Sequence, residues 1–231
     1  MIKAILCDID GTLLLTRSTG NPTENRFFHS IKDVFGVKSV YDREKFNGWT
    51  DYRILSEMVK PLGITKEELD QKLDQVAESM IEVIREISGR KKYFSVIPEA
   101  NEFLRKIHPF PIYKGVFTGN LSKVGKWKLS THDLDSFFTF ALYGDYMKDK
   151  AELLEKELLS LLKSFKEEIK PADCCVIGDT PEDIKAGKQM GVKTIGVMSS
   201  AYTKKSEMEL QKPDLLVSSL ADLLVIPFIL L

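Results

Sequence analysis

The chain opens on an apolar run, Ile2 to Cys7 broken only by Lys3, and the run ends in Asp8-Ile9-Asp10-Gly11. An apolar run of that length bounded by an Asp-Gly turn signal predicts a buried strand. From about Thr23 to Ser88 the pattern becomes helical. Its clearest part is Thr65 to Ile87, where Leu69, Leu73, Val76, Met80, Val83, Ile84 and Ile87 recur at helical spacing behind a Thr65/Glu68 capping box. Gly89-Arg90-Lys91-Lys92 breaks that pattern, and Ala100 to Ile107 resumes it as a separate helix. Four more strand-like runs follow, alternating with helices: Ile112 to Thr118, Phe137 to Tyr143, Asp173 to Ile177 and Lys193 to Val197. Strands alternating with helices predict βαβ units and a parallel sheet. The expected fold is therefore α/β, a doubly wound, Rossmann-like parallel-sheet core made of residues 1–15 and 93–231. Residues 16–92 form a helical insertion placed just after the first strand.

Composition narrows the partners. Lys+Arg 33 against Asp+Glu 34 leaves no global field for nucleic acid or an anionic membrane, so a small molecule is the expected partner. Cys7, Cys174 and Cys175 lie in apolar runs and imply no disulfide framework. His29, His108 and His132 are scattered and no Cys-x-x-Cys pair exists, which argues against zinc and leaves a hard, oxygen-bound metal open. The N-terminus has no signal-peptide pattern, so a cytoplasmic protein is expected. The apolar tail from Leu223 to Leu231 is too short to span a bilayer and is interrupted by Pro227; it reads as a docked terminus or a self-association surface.

The candidate chemistry lies at the strand ends. Two carboxylates at the end of a buried strand need a partner, and a divalent cation is the simplest one. Asp8 and Asp10 stand two apart on a strand, so both can serve one site, with Gly11 turning the chain away; a plain strand followed by an Asp-Gly turn is the competing account. In open α/β sheets ligands bind at the carboxyl ends of strands near the switch point. Two other strand ends are polar in the same way: Thr118-Gly119-Asn120, and Gly178-Asp179-Thr180-Pro181-Glu182-Asp183. Helix-start chemistry explains Thr180 as N-cap, Pro181 at the first helical position and Asp183 facing the dipole, but it leaves Asp179 unexplained. A hydroxyl beside backbone N–H groups at Thr118, Gly119 and Asn120 suits an anion, and so does a turn.

Together these residues resemble the haloacid dehalogenase superfamily, on its phosphatase side and close to phosphoglycolate-phosphatase-like members. Asp8-Ile9-Asp10-Gly11-Thr12 matches the first motif, D-x-D-G-T; Thr118-Gly119-Asn120 is similar to the second; Gly178 to Asp183 matches the acidic fourth. The insertion at residues 16–92 falls where that family carries a small α-helical cap. The third motif, a lysine, departs from the common pattern, because Gly144 to Lys150 contains no Lys-Pro pair. Relatives with T-G-N take the lysine from a Lys-Leu pair on the next helix, which places Lys128-Leu129 ahead of Lys148 and Lys150.

The resemblance implies a Mg²⁺-dependent phosphatase for a small phosphorylated metabolite, phosphoglycolate-like or a sugar phosphate, as a monomer or homodimer. It implies Asp8 as nucleophile and Asp10 as general acid and base. Mg²⁺ would be held by the Asp8 carboxylate, the Asp10 carbonyl and Asp179, with Asp183 behind them. Thr118, Gly119, Asn120 and Lys128 would take the phosphoryl oxygens. Thr50, Asp51 and Arg53, after Gly48-Trp49, resemble the cap loop that faces the site; a helix N-cap is the other reading of Thr50 and Asp51. Arg90-Lys91-Lys92 is either a steering patch for an anionic substrate or a solvated hinge. A phosphomutase of the β-phosphoglucomutase type and a non-catalytic binding protein are the alternatives.

Overall fold

The computed structural model describes residues 1–16, 25–90, 93–199 and 203–225, with residues 88–90 described by their backbone alone. The side chains of Arg90, Lys91 and Lys92 and the tail beyond Val225 therefore lie outside the described residues. Six parallel strands form the central sheet: β1 (Ala4–Cys7), β4 (Tyr113–Thr118), β5 (Phe140–Tyr143), β6 (Cys174–Gly178), β7 (Lys193–Val197) and β8 (Leu215–Val217). Their order is β5-β4-β1-β6-β7-β8. β1 is thus central, with β4 on one side and β6 on the other, and the chain winds outward in both directions from it. That is the doubly wound arrangement the alternating pattern predicts, with the switch point beside β1.

Alternation along the strands assigns the two faces. Ile5 and Cys7 join Val116, Cys175, Ile177, Ile195 and Val197 in a core closed by Ala100, Phe103, Leu104 and Ile107 of α4 (Pro98–Ile107). Ala4 and Leu6 point the other way, into a core with Phe117, Val176 and Leu153, Leu154, Leu158 and Leu162 of α6 (Lys150–Ser164). Both faces of β1 are covered, which is why its run is uniformly apolar. α5 (Ser122–Thr131), α7 (Pro181–Gln189) and α8 (Lys205–Leu210) complete the layers.

Between β1 and β4 the chain forms α1 (Arg26–Phe35), α2 (Asp51–Val59) and α3 (Lys66–Arg90). The predicted capping box is present: the Thr65 N–H donates to Glu68 Oε2 at 2.8 Å and the Glu68 N–H to Thr65 Oγ1 at 3.2 Å. Phe27, Ile31, Leu55, Leu69, Leu73, Val76, Met80 and Ile84 form a separate core, joined by Leu121 and Val124 at the start of α5. Residues 37–50, inside the stretch expected to be helical, run as turns and irregular chain. The pair β2 (Leu14–Thr16) and β3 (Phe94–Val96) is an antiparallel ribbon at the two points where the chain leaves and re-enters the sheet domain; three-residue strands carry too little periodicity to be read from sequence. The run beginning at Phe137 becomes a strand only at Phe140, because Asp135–Phe137 is a turn of 3₁₀ helix. Among the described residues no helix is long and apolar enough to cross a membrane.

Phe103 is fully buried between α4 and the sheet. Phe103→Ala is expected to destabilise the protein by about 3–5 kcal/mol, read as a lowered urea midpoint with an unchanged slope.

Candidate active site

The strand ends meet on one rim. Asp8 follows β1 directly, and its N–H still donates to the Ile177 carbonyl at 2.9 Å, so the ladder holds its backbone while its side chain leaves the sheet. Asp179 follows β6 in the same way, and its Oδ1 accepts the Thr12 hydroxyl at 3.2 Å. Asp183, one turn into α7, accepts from the Thr180 N–H at 3.1 Å and the Thr180 hydroxyl at 2.6 Å. One oxygen each from Asp8, Asp179 and Asp183 lies within 4.8 Å of the others, and all three residues are buried. Gly11 makes this possible. Its φ is +82°, and a Cβ there would sit 2.0 Å from Asp179 Oδ2, so a side chain at residue 11 would occupy the space of the carboxylate.

One lysine serves the cluster. Lys150 Nζ donates to Asp8 Oδ2 at 2.8 Å and to Asp183 Oδ1 at 2.6 Å. It is the first residue of α6, whose N-cap Asp149 accepts from the Glu152 N–H, so the helix start aims this side chain from the end of β5 at the end of β1. Lys128 is elsewhere. It is fully buried under α5, donates to both oxygens of Asp10 at 2.8 and 2.6 Å and to Asn120 Oδ1 at 2.6 Å, and lies over the Phe94 ring. The lysine that reaches Asp8 is therefore Lys150, which the sequence placed behind Lys128. Its signal was an N-cap followed by lysine after the third core strand, and no proline marked it.

Asp10 is not one of the three clustered carboxylates and has its own partners. Besides Lys128 it accepts from Asn120 Nδ2 at 2.7 Å and from the Thr16 hydroxyl at 3.3 Å, and Asn120 is itself bonded to Thr118 Oγ1 at 2.8 Å. Asp8, Asp10, Thr118, Gly119, Asn120, Lys150 and Asp179 line a single cavity of about 250 Å³. Its other wall comes from the helical segment. Of the three residues expected there, only Asp51 lines it. Thr50 caps α2, accepting the Arg53 N–H and donating to the Met147 carbonyl at 2.6 Å, and Arg53 stacks on Trp49 with 3.4 Å to the ring centroid. Arg26, Tyr41 and Arg43 also line the cavity; no spacing in the sequence singled them out, because single cations and tyrosines in a helical stretch read as surface.

Residues 5–197 match the model of the haloacid dehalogenase-like hydrolases. The chain belongs to this family. It is 28% identical to the pyrophosphatase PpaX of Anoxybacillus flavithermus, covering 97% of this chain and 96% of that protein. It is 26% identical to a phosphoglycolate phosphatase of Vibrio vulnificus, over 96% and 95%. A crystal structure of a predicted phosphoglycolate phosphatase from Haemophilus somnus shares the fold with a TM-score of 0.69 and 18% identity, over 96% of both chains.

Electrostatics of this haloacid dehalogenase-like site divide it in two. Burial pushes Asp8 up to about 6; Lys150 pulls it back, and the neighbouring Asp183 adds to the rise. Burial and the charges of Asp8 and Asp183 raise Asp179 well above an ordinary carboxyl. Lys150 is held charged above the usual lysine value, since its two carboxylates outweigh its own burial. Asp10 goes the other way: burial would raise it, but Lys128, Arg26 and the Asn120 bond hold it at about 2. Lys128 falls below an ordinary lysine because burial and the Arg26 charge outweigh the pull of Asp10. Three carboxylates around one ammonium carry excess negative charge, and their all-oxygen donor set suits a hard divalent cation. Asp183 already spends both oxygens on Lys150 and Thr180, so Asp8 and Asp179 are the better placed to hold one.

A native carboxyl raised from 3.8 to about 6 binds its proton more tightly than the unfolded chain does, so its contribution to stability is present at low pH and is lost as pH rises through that window. The metal-free protein is expected to lose stability from about pH 4 to about pH 6. At pH 7.5, Asp179→Asn should raise its melting temperature by about 2–4 °C for each kcal/mol of relieved repulsion. Thermal unfolding in EDTA checks both, and a lowered melting temperature for Asp179→Asn counts against the crowding.

Proposed function

We propose that this protein is a Mg²⁺-dependent phosphatase that hydrolyses a small phosphorylated metabolite through an aspartyl-phosphate on Asp8. The reading rests on one observation above the rest: Asp8 lines a cavity with Lys150 on one of its oxygens and Asp179 beside it, while a second carboxylate, Asp10, is held on its own hydrogen bonds. The activities named for the PpaX and phosphoglycolate phosphatase relatives agree in class with this reading.

Phosphoryl transfer asks for an in-line nucleophile, charge neutralisation and proton delivery. Near neutral pH Asp8 is largely ionised and can attack, and Lys150 fixes which oxygen stays bonded and which is free. Its oxygen forms a bond to phosphorus as the ester oxygen departs. Thr118, Gly119 and Asn120, which line the cavity at the end of β4, offer a hydroxyl and N–H groups to the phosphoryl oxygens, and Lys150 adds positive charge. We assign this charge to Lys150 in preference to Lys128. Mg²⁺, held by Asp8, Asp179 and the Asp10 carbonyl with Asp183 behind, would neutralise charge on the transferring group.

Asp10 carries the protons. Held at about 2 it is ionised before substrate enters, and a phosphate dianion alongside favours its protonated form by like-charge repulsion. It takes up a proton from solvent and gives it to the leaving oxygen. In the second half it takes a proton from water as water attacks the aspartyl-phosphate, releasing phosphate and Asp8. Lys128, Asn120 and Thr16 keep the carboxyl pointed for both transfers. Residues 16–92 act as the cap that closes the cavity and selects the ester.

Phosphate release from a panel of small esters, with Mg²⁺ and with EDTA, tests the reading. Activity should require the metal. Asp8→Asn should reduce turnover to background, and Asp10→Asn should lower kcat by about 10²–10⁴-fold with phosphate binding retained. Near wild-type release by Asp8→Asn would overturn the mechanism, and an isomeric ester as the main product would make the protein a mutase.

A further inference from the structure

We infer that Arg26 pairs with a second anionic group on the substrate, so that the ester cleaved here bears a carboxylate or another phosphoryl group close to the phosphorus under attack. This rests on the phosphatase reading above and specifies its substrate class.

Arg26 opens α1 and lines the cavity that holds Asp8. Its side chain is only 11% exposed. Nη2 donates to Asp51 Oδ1 at 3.0 Å, and the guanidinium lies 4.5 Å from the Phe27 ring centroid. Its Nε is buried and has no hydrogen-bond partner among the described residues. A buried guanidinium N–H without an acceptor is costly, and neither Asp51 nor the Tyr93 hydroxyl, which Arg26 also bonds, serves Nε. Asp51 cannot make up the difference, because its second oxygen already accepts the Leu121 N–H at 3.2 Å.

The distribution of charge around the cavity points the same way. Its lining carboxylates Asp8, Asp10 and Asp179 belong to the sheet rim, and the helical wall contributes Asp51 against two arginines, Arg26 and Arg43. Tyr41 and Tyr93 add hydroxyl donors beside them. Among the described residues the helical wall thus places the unserved Nε of Arg26 and two tyrosine hydroxyls where they can meet an anion. The cavity, of about 250 Å³, suits a compact substrate. Arg26 and Asp8 line the same cavity, so an anion accepted by Arg26 belongs to the molecule whose phosphorus Asp8 attacks.

The test uses the full-length protein with Mg²⁺ and compares three probes: 2-phosphoglycolate, with a carboxylate; pyrophosphate, with a second phosphoryl group; and 2-hydroxyethyl phosphate, which is neutral at that end. Wild type should favour at least one of the anionic probes over the neutral one by about tenfold or more in kcat/KM. The favoured probe tells which anion is read. Arg26→Gln should erase most of that preference, chiefly through KM, while Arg26→Lys should keep part of it. Equal use of the neutral probe by wild type, or an equal loss on all probes in Arg26→Gln, would overturn the inference and leave the phosphatase standing. No Mg²⁺-dependent turnover of any ester would overturn both. If Arg26→Gln does not fold, the same ratio in Arg26→Lys decides: a preference identical to wild type's counts against a bonding role for the guanidinium.

Discussion

The site depends on the burial of three carboxylates, Asp8, Asp179 and Asp183, around a single ammonium from Lys150. Left to itself such a group would expel its charge by taking up protons, and the raised Asp8 and Asp179 show that tendency. The sheet prevents relaxation. Asp8 is pinned by the last bond of the β1–β6 ladder, Asp183 by the first turn of α7, and Lys150 by the capped start of α6. Stability is given up locally to hold a charge imbalance in place, and a tightly packed parallel core on both faces makes that tolerable.

The second carboxylate of the first motif lives under opposite conditions. Asp10 is two residues from Asp8, yet it is surrounded by donors and ionises easily. Two neighbouring acids on one strand end are thereby separated in proton affinity, which fits a pair with different tasks. The separation comes from the loop: after Asp8 the chain turns at Gly11, and the Asp10 side chain swings toward α5 and the β2–β3 ribbon.

Much of this was legible in the sequence. Asp8, Asp10 and Asp179 stood out because charge at the end of an apolar strand is costly, although an Asp-Gly turn competed as the account of the first two, and the alternating runs placed those strand ends on one rim. Lys150 was harder, because a lysine's reach depends on where its helix starts, and Asp149 as an N-cap is one of many equivalent signals. Arg26 was illegible for a related reason. Its meaning comes from the packing of α1 against the cavity, and helical periodicity in residues 26–35 says only which face is apolar. Thr50, by contrast, was read as either cap loop or N-cap, and its hydrogen bonds are those of an N-cap.

One bond in the join between the helical segment and the rim is main chain to main chain. The Asp51 N–H donates to the Gly119 carbonyl at 2.7 Å, and the approach is so close that a Cβ on Gly119 would lie 2.9 Å from the Thr50 Cα. A bond between two backbones has no side chain for mutation to act on. At position 51 every residue but proline preserves it, whereas at 119 the smallest gain in bulk forces the two segments apart. Bulk at residue 119 would therefore act on the seating of the helical segment itself, whatever side chains line the cavity wall.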